Sequence, residues 1–437
     1  MRLGGADRAP PATVIMGLLG LRSVVGDTWK LNSAWTRRYA GPAVVVPTVR
    51  TQMWQNRLRC ARSWASTWSS ATKQPQCDDW EALASSVGGP RKNGCVNESN
   101  AQRKTLAGDE PRKTNPYASE HTKLAMAWKQ RTLTLPDDAR TPGVYEKHRR
   151  AYPFCLPVEF ASHNLLPEVR NGAIDLFKEL DIPWHDSVAG GPSNHLRDSQ
   201  VQCVNALFTM VADAERIKLA FGGAVDIAEV LPIEEGRFLT FEYIGPTDYF
   251  GEGVRGGKDV GRRRGTNCTS VDAAFLYKAL AGVTELALVE WKFTESYLDA
   301  KDRKATSDAV RIGRYAADLG ASDSPIALDV LPIELLLDEP FYQLMRQQLL
   351  AKRLEHDRVL DAEVVRVLHV LAPENTGYQD SLARAEHRAL GSTVDDVWTE
   401  LLRTPDRFLH VDPKVFLDPS VTSDEYVDRY SPAAVDA

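Results

Sequence analysis

Two short segments in the middle of the chain, 269–277 and 285–293, are largely apolar but carry charged residues within them, among them Asp272, Glu290 and Lys292. Both segments have the length and the β-favouring composition of strands. Side chains alternate between the two faces of a strand, so Glu290 and Lys292 share one face of the second segment. A tight turn between the segments would fold them into an antiparallel hairpin. The pattern therefore predicts that Asp272 meets Glu290 and Lys292.

Charges inside an apolar strand are costly unless they are paired or bind something. Two carboxylates beside an ammonium group would balance part of each other's charge. Carboxylate oxygens are also the ligands that Mg²⁺ prefers, and a nearby lysine can hold a phosphate or a water molecule. The simpler alternative is a cross-strand ion pair of Lys292 with Asp272 or Glu290, which would have a structural role only.

Two further acidic residues are candidates for the same site. Residues 199–221 have the pattern of a helix whose apolar stripe ends at Glu215, so this carboxylate could continue toward the sheet; the alternative is that it is solvated. Residues 237–244 alternate as a strand, and Glu242 lies on one face of it. An exposed charge on an edge strand is the alternative for Glu242.

A glycine-rich segment, 245–265, separates that strand from the hairpin and contains Arg262, Arg263 and Arg264. It has no P-loop pattern, so we interpret it as a loop beside the site. Its arginines could clamp the backbone of a nucleic acid, or they could form a solvated basic turn.

The remaining periodicities predict helices over 305–319, 339–356 and 393–402 and strands over 325–331 and 364–371. The predicted order is helix, strand, strand, strand, helix, strand. We therefore predict an α/β fold with a mixed central sheet flanked by helices. Its core would span about 198–331, and 332–437 would be an elaboration of a domain covering 118–437.

Residues 1–117 differ in composition from the rest of the chain. They hold 17 Lys and Arg against 8 Asp and Glu and six of the ten Trp, whereas the whole chain has a net charge of -6. We predict a weakly ordered basic arm. A small recognition domain and a translated upstream stretch are the alternatives. The remainder of the chain is acidic, so contact with DNA would need local basic patches.

The six cysteines are scattered without a C-x-x-C pair, which favours neither a zinc knuckle nor a disulfide framework. The apolar stretch 12–21 is too short to span a bilayer. We therefore expect a cytoplasmic protein without a membrane partner.

The sequence resembles the PD-(D/E)XK nuclease superfamily, in its restriction-endonuclease-like branch. The resemblance covers roughly residues 144–430 and departs from the superfamily pattern at Val271, where a proline is usual. The segments that carry it are Asp272, Glu290 to Glu295, His195 to Gln200 with Asn205, Arg346 to Gln348, and Glu425 to Tyr430.

The resemblance implies that Asp272 and Glu290 bind Mg²⁺, or Mn²⁺ in its place, together with the backbone carbonyl of Trp291. Lys292 would orient the attacking water, and Gln200 would position the substrate. In this superfamily the first core helix can lend an acidic residue to the metal, which is the role considered for Glu215.

The resemblance implies a metal-dependent endonuclease that acts on DNA, related to restriction or defence, and it leaves a homodimer open. Two alternatives remain at this point. One is an inactive nuclease fold that binds nucleic acid or protein, and the other is a different phosphoesterase or phosphotransferase that uses the same ligands.

Overall fold

The computed structural model describes residues 115–298 and 305–432. The helices are α1 (Pro116–Arg131), α2 (Pro167–Glu179), α3 (Ser199–Leu207), α4 (Ala214–Phe221), α5 (Ala305–Leu319), α6 (Phe341–His356), α7 (Thr376–Gln379), α8 (Ala385–Leu390), α9 (Val394–Leu401) and α10 (Asp424–Tyr430). The strands are β1 (Gly143–Tyr145), β2 (Arg150–Tyr152), β3 (Ile227–Leu231), β4 (Leu239–Tyr243), β5 (Val254–Arg255), β6 (Lys258–Asp259), β7 (Val271–Ala279), β8 (Thr284–Trp291), β9 (Val364–Val370) and β10 (Phe408–Val411).

A mixed sheet of six strands forms the centre of the described part. Its order is β10, β9, β8, β7 and β3, and β4 pairs with the same edge of β7 as β3 does. The strands β7 and β8 are antiparallel, whereas β8, β9 and β10 run parallel to one another. The predicted α/β class with a mixed sheet is confirmed.

The predicted hairpin is strands β7 and β8, whose pairs run from Lys278 opposite Thr284 to Ala273 opposite Val289. The turn between them contains Gly282 with φ +83, a left-handed conformation that glycine adopts without a steric penalty. This geometry places Asp272 and Glu290 at the same end of neighbouring strands.

Helices cover both faces of the sheet, so β8 is buried on both sides. Ala287, Val289 and Trp291 join the core formed with α1 to α4 and α10. Leu286 and Leu288 join the core formed with α5, α6 and α9. By the alternation of the strand, Glu290 and Lys292 face α6, in surroundings where unpaired charge is unfavourable.

The predicted helix over 199–221 is interrupted in the structure. It consists of α3 and α4, separated by a 3-10 turn over Phe208–Val211. Asp213 caps the second helix by accepting hydrogen bonds from the backbone of Glu215 and Arg216. The break changes the phase of the apolar stripe, so a continuous stripe does not carry Glu215 toward the sheet.

The predicted strand over 325–331 is wrong. The segment makes one isolated bridge, between Ile326 and Leu402, and then leads into a 3-10 turn over Ile333–Leu337. Its apolar side chains are buried against helices instead of being paired in the sheet, a distinction that a short apolar run cannot make by itself. The next strand of the sheet after β8 is β9, which follows helix α6. Two strands of the sheet, β9 and β10, therefore lie within residues 332–437.

Three other predicted helices are found close to their expected bounds, as α5, α6 and α9. The predicted arm over 1–117 lies, except for its last three residues, outside the described residues. Within the ranges that the structure describes, no helix combines the length and apolar character needed to cross a bilayer.

Candidate active site

Glu242, Asp272 and Glu290 lie side by side on three adjacent strands. We call this line of positions, which runs across the strands, the transverse row. Phe241 pairs with Ala273 and Tyr243 with Val271, which leaves Glu242 opposite Asp272. The last pair between β7 and β8 is Ala273 with Val289, so the next position on each strand brings Asp272 across from Glu290. The row thus gathers three carboxylates from three consecutive parts of the sheet.

Asp272 lies where β7 and β8 separate. Its Oδ2 accepts a hydrogen bond of 2.6 Å from the backbone N–H of Trp291. Strand β8 continues along β9 at this point, because the N–H of Lys292 donates to the carbonyl of Val370 at 2.9 Å. The Asp272 side chain therefore replaces a ladder bond that the separating strands no longer make, which fixes the carboxylate at the opening.

Glu290 and Lys292 form a buried ion pair, with 2.5 Å between Lys292 Nζ and Glu290 Oε1. Helix α6 completes their environment, since Lys292 Nζ donates to Gln343 Oε1 at 2.8 Å and Gln347 donates to Glu290 Oε2. Burial acts to lower the pKa of Lys292, but the nearby carboxylates, above all Glu290, raise it well above its ordinary value. The ammonium group therefore stays charged.

Glu242 is buried and is held by two donors. Gln200 Nε2 donates to Oε1 at 2.9 Å, and Ser270 Oγ donates to Oε2 at 2.9 Å. Its backbone has φ +47, a left-handed conformation that is uncommon for this residue type. Burial raises the pKa of Glu242, and the charge of Glu290 adds to the effect.

A cleft opens over this row. Its lining includes Gln200, Glu242, Asp272, Trp291 and Lys292. Glu290 is not part of the lining and lies beneath it at 1% exposure. The structure therefore brings the predicted trio together, but two members face the cleft and the third supports them from below.

The donor set fits a hard divalent cation. Burial and the charge of Glu290 raise the pKa of Asp272 well above its ordinary range, so the site carries more buried negative charge than Lys292 can balance. Oε1 of Glu290 is buried and accepts no hydrogen bond, although it contacts Lys292. Carboxylate and carbonyl oxygens from Glu242, Asp272, Glu290 and Trp291 are ligands of the kind that Mg²⁺ takes.

Glu215 is not among the residues that meet at the cleft. Its side chain is 75% exposed and pairs with Lys218 at 2.8 Å in the first turn of α4. This exposure supports the alternative that Glu215 is solvated. The side chain does not reach the sheet because the helix is broken between α3 and α4.

The three arginines of the glycine-rich loop contact carboxylates and backbone carbonyls of the same chain. Arg264 pairs with Glu234, Arg262 donates to the carbonyl of Thr247 at 2.6 Å, and Arg263 pairs with Asp181 at 3.0 Å. A loop rich in glycine leaves many carbonyls without ladder partners, and the guanidinium groups satisfy some of them. The residues that line the cleft do not include these three, so a role in substrate binding stays a prediction.

No role was predicted for the amide groups of α6 that reach the ion pair. Gln343, which is half-buried, and Gln347, which is buried, lie four residues apart and therefore on one face of a helix whose buried residues are mostly apolar. That spacing is a signal for a polar stripe facing buried charges. The contact of Ser270 with Glu242 was not predicted either, because a single hydroxyl has no comparable sequence pattern.

One comparison with known proteins gives a match. The family model described as restriction endonuclease associating with ARP matches residues 122–431, which is most of the chain and nearly all of the described part. A search of curated proteins and a search of solved structures each gave no match. The match agrees with the resemblance to restriction endonucleases found in the sequence. The chain belongs to the family of restriction endonucleases associating with ARP.

Proposed function

We propose that this chain is a metal-dependent endonuclease that hydrolyses phosphodiester bonds of DNA in the cleft over Glu242, Asp272, Glu290 and Lys292. The main support is the transverse row of three carboxylates, which concentrates negative charge beside a single buried ammonium group. Such an arrangement is unfavourable in the absence of a cation, so a divalent ion gives it a physical reason. The family of the chain is consistent with this activity.

Asp272 and Glu290 are the residues that would hold Mg²⁺ or Mn²⁺, with Glu242 as a third carboxylate and the carbonyl of Trp291 as a further oxygen. When bound, the cation would lower the pKa of a coordinated water and neutralise charge on the phosphodiester. Gln347 fixes one oxygen of Glu290, and Gln200 fixes one oxygen of Glu242. These amides keep the carboxylates oriented before the cation and the substrate arrive.

Lys292 would act on the substrate directly. Lys292 is among the residues that line the cleft, and its ammonium group remains protonated because Glu290 lies 2.5 Å away. It can donate one hydrogen bond to a phosphate oxygen while it keeps its bond to Gln343. A fixed positive charge at this place stabilises the negative charge that develops on the phosphoryl oxygens during attack by water.

The hairpin of β1 and β2 offers a basic surface beside the cleft. Lys147, Arg149 and Arg150 are exposed at its tip, and Tyr145 on β1 lines the cleft. Exposed basic side chains close to a catalytic cleft contact phosphates and position a nucleic acid without reading its sequence. This surface supports DNA as the partner of an otherwise acidic domain.

The test is cleavage of supercoiled plasmid DNA by the purified full chain with Mg²⁺, with Mn²⁺ or with a chelator. Linear duplex DNA, single-stranded DNA and RNA are assayed in parallel to define the substrate class. We expect nicking or cutting of duplex DNA only with the metal, and a loss of at least about 100-fold in Lys292→Ala. Lys278→Ala removes an exposed lysine of β7 and is expected to keep full activity.

Loss of activity in Lys292→Ala could also follow from destabilisation, because Glu290 is left buried without its counterion. Asp272→Asn removes that ambiguity, since we expect it to be inactive and at least as stable as the natural chain. Cleavage that survives Asp272→Asn, or that continues in the chelator, would reject the proposal. Metal-independent DNA binding without cleavage under any condition would favour an inactive binding module instead.

A further inference from the structure

The transverse row that holds the carboxylates continues into a second group of potential ligands. Glu290 on β8 pairs in register with His369 on β9, and His369 pairs with His410 on β10. Asp395 on α9 reaches the same place from above the sheet. One ligand atom from each of His369, Asp395 and His410 lies within 4.8 Å of the others.

The imidazole nitrogens of His369 lack hydrogen-bond partners in the part of the chain that the structure describes. The side chain is fully buried, and neither ring nitrogen has a hydrogen-bond partner within the described residues. The nearest carboxylate oxygen, Oδ1 of Asp395, is 3.8 Å from Nδ1, which is beyond hydrogen-bond distance, and it also lacks a partner. Buried polar groups of this kind are nearly always bonded, so the gap between them indicates a missing ligand.

Other contacts hold the group in place. Gln379 donates to Oδ2 of Asp395 and accepts a bond of 3.3 Å from its backbone N–H. Nδ1 of His410 lies 3.4 Å from Oδ2 of Asp395. Burial lowers the pKa of His369 well below its ordinary value, so the imidazole is neutral, which is the form that binds metals.

We propose that His369, His410 and Asp395 bind a zinc ion, with the remaining position of a tetrahedral site taken by water. Two imidazoles and one carboxylate are a donor set suited to zinc, whereas the carboxylate row beside it suits Mg²⁺. Ligands of a tetrahedral zinc lie roughly 3.4 Å apart. The imidazoles of His369 and His410 lie 3.8 and 3.4 Å from different oxygens of Asp395, and one ligand atom of each residue lies within 4.8 Å of the others, so side-chain rotations are needed to bring all three onto one ion. His410 is 44% exposed and gives the ion a route from solvent.

The expected role is to tie α9 to β9 and β10. His369 is also the register neighbour of Glu290, so the zinc would stiffen the part of the sheet on which the carboxylate row rests. This inference does not depend on the cleavage of DNA.

The test measures metal bound to the untagged full chain by elemental analysis, followed by titration of the chelator-treated protein with Zn²⁺ and Co²⁺. We expect one tightly bound zinc per chain and the visible absorption of a cobalt site without thiolate bands, which separates it from binding by cysteines. His410→Asn should weaken zinc binding at least tenfold. His356→Asn removes another exposed histidine, paired with Asp357, and should bind zinc as the natural chain does.

Asp272→Asn distinguishes this site from the carboxylate row and should bind zinc normally. The proposal is overturned if the natural chain takes up no zinc at micromolar concentration. It is also overturned if His410→Asn binds zinc as the natural chain does, or if zinc binding disappears in Asp272→Asn. A rise in the melting temperature on adding zinc, absent in His410→Asn, is the second expected readout.

Discussion

Replacing Asp272 by Asn should make the metal-free protein more stable while it removes activity. Asp272 and Glu290 occupy facing positions of neighbouring strands, which puts their Cβ atoms about 5 Å apart. Two like charges at that distance repel by ~3 kcal/mol at an effective dielectric constant of 20. The ammonium group of Lys292 reduces this repulsion, so we expect a net gain of roughly 1–3 kcal/mol.

Asparagine keeps the hydrogen bond that Asp272 accepts from Trp291 N–H, because its amide oxygen can still accept it. Unfolding entropy for a folded domain of roughly 300 residues is ~0.65 kcal/mol per degree, so the gain corresponds to a rise of about 2–5 °C in Tm. Scanning calorimetry in the presence of a chelator measures it. Asp226→Asn, at an exposed position, is the matched control and should leave Tm unchanged.

The effect depends on pH with a defined sign. The pKa of Asp272 is raised in the folded state, so the folded protein binds more protons than the unfolded one as soon as the pH exceeds the ordinary carboxyl value. The natural chain therefore loses stability as the pH rises through the folded-state pKa. The advantage of Asp272→Asn should vanish near pH 4 and grow toward neutral pH.

A divalent ion should reduce the stability advantage of Asp272→Asn over the natural chain. With a dissociation constant of about 1 mM, 10 mM Mg²⁺ would stabilise the natural chain by about 1.4 kcal/mol and leave Asp272→Asn nearly unaffected. The reasoning is refuted if Asp272→Asn melts below the natural chain without metal, or if Mg²⁺ stabilises both proteins equally.

Two further predictions concern stability away from the cleft. Lys129→Met removes a buried ammonium group that donates to three backbone carbonyls, and should lower the free energy of unfolding by about 2–4 kcal/mol in urea titrations. The control Lys123→Met lies on the exposed side of the same helix and should change the free energy of unfolding by less than about 0.5 kcal/mol. Equal effects of the two would contradict the burial argument. Thr393→Ala removes the capping box with Asp396 at the start of α9, and should cost about 1 kcal/mol, whereas Thr393→Ser keeps the hydroxyl and most of the stability.

The hairpin could be predicted from the sequence because its determinants are local. Strand alternation fixed the common face of Glu290 and Lys292, and the turn at Gly282 fixed the pairing that brings Asp272 beside them. The start of a helix at Ser199 was also predicted, and the structure shows that Asp198 caps it by accepting a hydrogen bond from a backbone N–H three residues away. In each case the physical cause lies within the same hairpin or the same helical turn as its effect.

The break inside 199–221 shows where local patterns mislead. The spacing of apolar residues there is compatible with one continuous helix. In the structure the first helix ends at a 3-10 turn over Phe208–Val211, and a second helix begins after Asp213. The strand expected at 325–331 failed for a related reason, because a short buried apolar segment satisfies helix packing as well as a sheet.

By itself, the sequence determined the α/β class, the hairpin and the shared face of its charged residues, because periodicity, turn chemistry and capping depend on near neighbours in the chain. The tertiary structure alone decided that Glu242 completes the carboxylate row while Glu215 does not, that Gln347 reaches Glu290, and that His369 and His410 continue the same row. Those relations depend on the register of strands and on helix packing between residues tens of positions apart in the chain, and no local pattern encodes such distances.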